Sequence, residues 1–342
     1  MKVLIVKLSA LGDVVQALPV AMAIRRQLPQ ARLDWLVEAP SAGLLQGHPA
    51  LDHVLVSPRG QMAKNMGWEG IKDWLAKLRA VEYDAVLDLQ GLMKSAIFVG
   101  LSRGRRKIGY AGGKEPLAAW ALTERLPAFD PERHALERYL DLLGPLGIMR
   151  PARPEFGLEP APEALAAAAG LLAPRQTGRP LVVLHPMAKW ESKLWPTGHW
   201  AQLARLLHQA GVDLALSGSP ADQPQTQAIL AQAGLPEGVR DLAGRTSLKE
   251  LAAVLSLADL VVATDTGVMH LAAALGRPVA ALFGPTSPGR TGPYGQGHQV
   301  LRLGLQCSPC FLRHCPEPRC LSTLPPELVA RTVQAMLKRT RP

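Results

Sequence analysis

The chain has 342 residues, 48% hydrophobic and 19% charged, which excludes a disordered protein and makes two domains the default. A formal net charge of +10 favours an acidic partner: nucleic acid, an anionic membrane surface or a phosphorylated substrate. No apolar run of about 18 residues is uninterrupted, and Val3–Val6, followed by Lys7 and Asp13, is too short for a signal-peptide core. The chain is therefore expected to span no membrane and to stay in the cytoplasm.

In chain order, a buried-strand pattern at Val3–Val6 leads through a turn, Lys7–Asp13, into a helix over about Val14–Leu28 that stops at Pro29. Leu33–Val37 and Val54–Val56 read as the next strands. A helix over Glu69–Arg79 carries Ile71, Trp74, Leu75 and Leu78 on one face. Ala85–Asp88 is a further strand, ending in Gln90-Gly91 before a helix from about Met93. The basic run Arg103-Gly-Arg-Arg-Lys107 is either a solvated loop or a surface for an anionic acceptor. Alternation of this kind builds a parallel sheet covered on both faces. Pro151, Pro154, Pro160 and Pro162 then break the pattern ahead of an alanine-rich helix, and Pro174–Pro180 reads as a linker.

The second half repeats the logic. Strand Leu181–Leu184 ends in His185-Pro186, a helix covers Trp200–Gln209, and strand Val212–Leu216 ends in Ser217-Gly-Ser-Pro220. A helix over Ser247–Leu257 starts with a capping box, Ser247 and Glu250. Strands Leu260–Ala263 and Val279–Phe283 follow, then an amphipathic helix over Pro325–Lys338. The expected fold class is α/β, with domains 1–172 and 180–324 and a terminal helix over 325–342. Two open parallel sheets in tandem place a central cleft between them, and such sheets bind ligands at the carboxyl ends of their strands.

The most informative stretch is Val262-Ala-Thr-Asp-Thr-Gly-Val-Met-His270, a strand feeding a helix N-terminus. Free backbone N–H groups and the helix dipole favour an anion there, and Gly267 lets a phosphate approach closely. Asp265 would repel that phosphate, so it suits hydroxyls; together the two suggest a nucleotide-sugar. In the first βα turn, Asp13 follows Gly12 and stands either as a helix cap or as a carboxylate able to take a proton from an attacking hydroxyl. That turn has a single glycine rather than G-x-G-x-x-G, which disfavours a dinucleotide seat and an NAD-dependent dehydrogenase or epimerase. Lys189 and Lys193, in an aromatic-rich loop after His185, can neutralise phosphate or leaving-group charge. Ser217–Asp222 suits a nucleotide or sugar edge, and Gly284 and Thr286 offer backbone and hydroxyl groups.

Cys307, Cys310, Cys315 and Cys320 cluster within fourteen residues. They are candidates for a structural zinc or iron site, for disulfides in an oxidising setting, or for reduced thiols in a compact loop. A metal knuckle plus basic charge would also fit a non-catalytic nucleic-acid-binding protein. With 5% aromatic residues and no basic stripe, stacking platforms are scarce and no nucleic-acid partner is expected.

Taken together, Val3-Leu-Ile-Val-Lys-Leu-Ser-Ala-Leu-Gly-Asp13, Lys193-Leu-Trp-Pro196, Asp265-Thr-Gly-x-x-His270 and Gly284-Pro-Thr-x-Pro-Gly289 resemble the ADP-heptose:lipopolysaccharide heptosyltransferases of glycosyltransferase family 9, over nearly the whole chain. The resemblance implies a GT-B fold with two Rossmann-like domains. It implies inverting transfer of heptose from ADP-L-glycero-D-manno-heptose to the Kdo and inner-core region of lipopolysaccharide. By position, Asp13 matches the general base and Lys193 the lysine near the donor phosphate and sugar. Asp265 matches the acid that contacts heptose hydroxyls. Thr266 and Gly267 match the diphosphate seat, with His270 beside it. Asp222 stands where type I enzymes carry a glutamate, and Met187 departs from the usual Pro-Gly-Ala. Leu8–Asp13 and Trp35-Leu-Val-Glu38 look like type I, which acts on Kdo; the cysteine cluster looks more like type II, which acts on heptosyl-Kdo2-lipid A.

The expected chemistry is a single displacement with no required cofactor. Arg105, Arg106 and Lys107, with Lys64, Lys72 and Lys94, are the candidate contacts for the acid groups of Kdo2-lipid A or inner-core acceptor. The acceptor implies peripheral placement at the cytoplasmic face of the inner membrane.

Overall fold

The computed structural model describes residues 1–58, 67–175, 178–235 and 239–340. They form two compact units, Met1–Gly157 and Leu158–Pro342. Unit 1 carries β1 (Lys2–Val6), β2 (Arg32–Glu38), β3 (His53–Ser57), β4 (Glu82–Asp88), β5 (Arg103–Tyr110) and β6 (Glu124–Leu126). All pair in parallel, in the order β3-β2-β1-β4-β5-β6. The order reverses between β1 and β4, and ligands of open α/β sheets bind at such a switch point. Val3 to Val6 are fully buried, as a strand covered on both faces requires, which is why this run is apolar throughout rather than alternating. One face packs Leu4, Val6 and Val86 against Leu78, Phe98, Val99, Ala118 and Leu122 from the covering helices.

Unit 2 restarts with β7 (Leu181–His185), β8 (Asp213–Leu216), β9 (Val239–Asp241), β10 (Leu260–Thr264), β11 (Val279–Leu282) and β12 (Gln299–Leu301). This sheet is also parallel, in the order β12-β11-β10-β7-β8-β9, with its switch between β7 and β10. The helix Pro326–Thr340 returns to this sheet and buries Val329, Val333 and Met336 in the core with Val182, Val262 and Leu282. No helix among the described residues is long and apolar enough to cross a membrane.

Two segments differ from the sequence reading. The basic run from Arg103 is not a loop but the start of β5, with Lys107 paired to Val86. A strand near the sheet margin, with its first residues partly solvated, tolerates charges that a central strand would not. The helix Pro162–Leu172, assigned from sequence to the first domain, belongs to unit 2. It packs against the helix Leu248–Leu257, burying Ala168 and Leu172, and the boundary falls ahead of it, after Gly157.

Candidate functional site

In unit 1 the candidate base is held at the switch point. Asp13 lies in the first turn of the helix Leu11–Gln27, and its Oδ2 accepts from the Ala10 N–H at 3.1 Å, the return half of a capping box. Capping therefore uses one oxygen and leaves the other to a different contact. Asp13 Oδ1 accepts from the Tyr139 hydroxyl at 3.0 Å. Tyr139 in turn accepts from Lys7 Nζ at 2.7 Å, and Lys7 Nζ also donates to the Leu89 carbonyl at 3.1 Å. The Lys7 ammonium is 3.8 Å from Asp13 Oδ1 and 4.4 Å from the Tyr139 ring centre. The Asp13 side chain keeps 40% exposure while Lys7 keeps 3%, so the carboxylate faces solvent and the ammonium beside it does not.

Burial sets the protonation of these supports. Loss of hydration pulls the Lys7 ammonium below the ordinary lysine range, opposed by Asp13 and Asp88. Burial first, then the negative Asp13, pushes the Tyr139 phenol well up, so it stays a donor. Asp88, at the end of β4, is raised by burial and steadied by the Gln90 and Gly91 N–H groups and the Ser95 hydroxyl. Gln90 Oε1 accepts from both Leu8 N and Ser9 N at 3.1 Å, tying the loops after β1 and β4 together. A pocket beside them, between the ends of β4 and β5, is lined by Asp88, Gly91, Tyr110, Gly112, Gly113 and Glu115.

In unit 2, the loops after β7, β8, β10 and β11 share the carboxyl edge because all four strands run parallel and adjacent. Lys193 Nζ contacts Asp265 Oδ2 at 2.6 Å, with 15% and 6% of the two side chains exposed. Trp190 lies under the same ammonium, 4.4 Å from ring centre to Nζ. His270 Nε2 stands 3.9 Å from Asp265 Oδ1. The Thr266 hydroxyl accepts from Val268 N at 3.2 Å and caps the helix Gly267–Ala274, so that helix N-terminus opens beside the ion pair. Trp195 explains the Lys-Leu-Trp-Pro pattern. It is buried, donates to the Leu324 carbonyl at 3.1 Å and meets Trp200 edge-on at 5.0 Å, which anchors the segment that carries Lys193.

The other donor-side residues are placed less uniformly. Thr286 is buried and its hydroxyl has no hydrogen-bond partner among the described residues, which marks a buried polar group that a ligand can satisfy. Gly284 is pressed so closely on Leu321 and Cys320 that an added Cβ would stand 2.8 Å from either. Lys189 is exposed. Asp222 turns to its own loop, accepting from Ser219 N and Oγ at 2.7 Å each. His185, at the end of β7, bonds Ser217 Oγ at 3.0 Å, and burial lowers its pKa to about 4.

Arg105, Arg106 and Lys107 do not reach the edge that holds Asp13. They lie along the earlier part of β5, whereas Asp88 ends β4. Arg106 is engaged by Glu124 and the Pro145 carbonyl, and Lys107 Nζ donates to the Gly100 carbonyl at 2.9 Å. Lys94 bridges Ser9 and Glu38, and Lys72 stands over the Trp68 ring. Lys64 falls outside the described residues. Among the described residues, no three His, Cys, Asp or Glu side chains converge as a metal-binding group, the cysteines included. Their segment instead braces the site: Ser192 Oγ donates to the Leu312 carbonyl, Ser308 Oγ to Gly284 O, and Cys310 N and Phe311 N to Pro285 O.

Sequence reasoning missed Tyr139, which is 126 residues from its partner Asp13. It also passed over Lys7, whose burial among apolar strands was the available signal.

The profile of glycosyltransferase family 9 (heptosyltransferase) matches residues 73–321. The chain belongs to that family. Lipopolysaccharide heptosyltransferase 1 of Pseudomonas aeruginosa is 34% identical, over 98% of both chains. The solved structure of Escherichia coli heptosyltransferase WaaC with ADP superposes with a TM-score of 0.79 at 29% identity, covering 98% of this chain and 100% of that one. Escherichia coli ADP-heptose lps heptosyltransferase II gives 0.81 at 26%, covering both chains fully. This family-9 chain is thus a glycosyltransferase with two Rossmann-like units of the GT-B type.

Proposed function

We propose that the protein transfers heptose from ADP-L-glycero-D-manno-heptose to Kdo in the inner core of lipopolysaccharide, with inversion. The observation that carries this reading is the Lys193–Asp265 pair beside the helix N-terminus at Gly267, a cation and a hydroxyl acceptor at one diphosphate seat. Identities of 34% and 33% to type 1 enzymes, against 29% to type 2 enzymes, favour the Kdo acceptor; transfer to heptosyl-Kdo2-lipid A is the second reading.

In the proposed reaction, an acceptor hydroxyl oxygen attacks the anomeric carbon as the bond to the β-phosphate oxygen breaks. The hydroxyl proton passes to Asp13. ADP leaves with the bonding pair, its new charge met by Lys193 and by the helix N-terminus that opens at Gly267. Asp265 and His270 face the sugar and phosphate, Thr286 gains the partner it lacks, and Gly284 and Lys189 border the nucleotide. No step is assigned to Asp222, whose carboxylate serves Ser219. Protein groups supply the positive charge, so no step runs through a metal. A zinc or iron at the cysteines would be structural, and the described side chains as folded do not form its ligand set. The acceptor sugar occupies the pocket at Asp88 and Gly112. Arg105 and Lys107 serve the lipid-borne phosphates, with Arg106 held by Glu124. A lipid acceptor places the protein at the cytoplasmic face of the inner membrane.

Asp13→Ala is expected to abolish transfer while ADP-heptose binding persists. Release of ADP is measured with two acceptors, one ending in Kdo and one already bearing heptose. Turnover near wild type in the variant, or no turnover of either acceptor by wild type, would overturn the reading.

A further inference from the structure

The outer face of unit 1 carries an apolar patch that the chemistry above does not use. Met93, Ile97 and Leu101 are exposed at i, i+4 and i+8 on the helix Met93–Leu101, with Ile97 at 50%. The neighbouring turn Pro116–Ala121 adds Leu117 at 77% and Trp120 at 58%. The two elements pack together, with Trp120 set so tightly over Gly100 that an added Cβ there would meet the indole at 2.6 Å. The five side chains therefore form one continuous surface. Such a surface costs solubility unless something covers it.

Its rim is basic. Side chains alternate along β5, so Arg103 and Arg105 project to the same sheet face as Lys107, whose ammonium reaches Gly100 in the patch helix. Lys114 is exposed just ahead of Leu117. Against these stand Glu82, paired with Arg103, and Glu115, which accepts from Met93 N at 2.7 Å. The balance remains positive, as it does for the whole chain at +10.

We propose that this surface seats the protein on an anionic bilayer, with the five apolar side chains entering the headgroup boundary and the β5 cations meeting lipid phosphates. A second copy of the chain fits worse. A stable dimer buries about 800 Å² per partner with some 20–30 residues, far more than five side chains. A two-fold contact would also set each basic rim against its own copy. The choice of a lipid partner rests on the functional reading above; the test does not need the sugar reaction.

Full-length protein is co-sedimented with vesicles of phosphatidylglycerol and phosphatidylethanolamine, and with vesicles of phosphatidylcholine alone. Binding is expected to the first, and to fall as salt rises. Ile97→Glu with Leu117→Glu, both at exposed positions, is expected to reduce partitioning roughly tenfold or more. Arg105→Glu is expected to reduce it less and to flatten its salt dependence, and Leu328→Glu, on the terminal helix of unit 2, to leave it unchanged. Unchanged melting temperatures show that the variants fold. Turnover of a water-soluble acceptor is expected to survive in the double variant while turnover of a vesicle-embedded acceptor falls. Equal binding by wild type and double variant, no binding by wild type, or loss of self-association rather than of vesicle binding overturns the proposal. Vesicle binding without glycosyl transfer sustains this surface and removes the functional reading instead.

Discussion

One hydroxyl separates Tyr139→Phe from wild type, and it is the hydroxyl that holds Asp13 Oδ1. Removing a hydrogen bond to a charged group costs about 1.5–3 kcal/mol, so kcat is expected to drop roughly 10- to 100-fold. The donor KM and ADP affinity should stay, because Tyr139 belongs to unit 1 and the proposed diphosphate seat to unit 2. Steady-state kinetics with ADP titration checks this; a donor KM that rises as kcat falls would show a general structural role. His185 offers a pH test. Its pKa falls from 6.5 to about 4 on burial, so between those values the unfolded chain binds a proton that the folded chain refuses. Stability from the neutral ring is fully present above pH 6.5 and is lost progressively as pH falls toward 4, about 3 kcal/mol in all. Urea unfolding at pH 7 and pH 5 should show wild type losing about 2 kcal/mol more than His185→Asn. An equal loss in both would place the titrating group elsewhere. At this scale the sequence was legible where chemistry is local: Asp13, Thr266 and Lys193 each sit in a short pattern with its own turn. Tyr139 has no such pattern, since only the packing of the helix Ala135–Leu140 on the helix Leu11–Gln27 brings residue 139 to residue 13.

The loop after β11 shows how an element gains its shape from a distant segment. Gly284 O is held by Ser308 and Pro285 O by the N–H groups of Cys310 and Phe311, while the helix Arg319–Ser322 presses on Gly284 from behind. Four clustered cysteines invite a metal reading because ligand spacing is the visible signal. The brace is made by backbone groups and two serines, which leave no such mark. Gly284→Ala tests the brace. Its Cβ cannot fit without moving Leu321 or Cys320, so overpacking of about 1–3 kcal/mol is expected, with Thr286 displaced and the donor KM raised while the acceptor KM holds. Denaturant unfolding and donor titration measure both, and a variant with wild-type values would show the loop to be slack. The first five residues of β5 were hidden for a related reason. Charged residues argue for solvent, and nothing in Arg103–Lys107 announces that Val86 and its neighbours wait beside them.

The chain repeats one topology, each unit a parallel six-stranded sheet with its switch between the first and fourth strands. Strand–helix alternation made this legible, because a doubly covered parallel sheet demands continuous apolar strands and crossover helices. The boundary was harder. The helix Pro162–Leu172 is joined to both units by the chain, and its alanine-rich sequence does not say which helix it will pack against. Each unit has its own buried core and lies in the size range of an independently folding domain. A single unfolding transition is therefore not expected. Calorimetry should resolve two transitions, and ADP should move only the one that belongs to unit 2, which carries the proposed diphosphate seat. At a hundredfold excess over Kd the ligand adds about 2.7 kcal/mol, which for a unit of this size corresponds to a rise of about 5–10 °C. Lys193→Met should remove that rise without moving the other transition. It should also lower the unit 2 transition itself, since it leaves Asp265 buried without its cation, a loss of about 3–5 kcal/mol. A scan in which both transitions rise together with ADP would show that the nucleotide stabilises the units jointly, and would move the donor seat out of unit 2 alone.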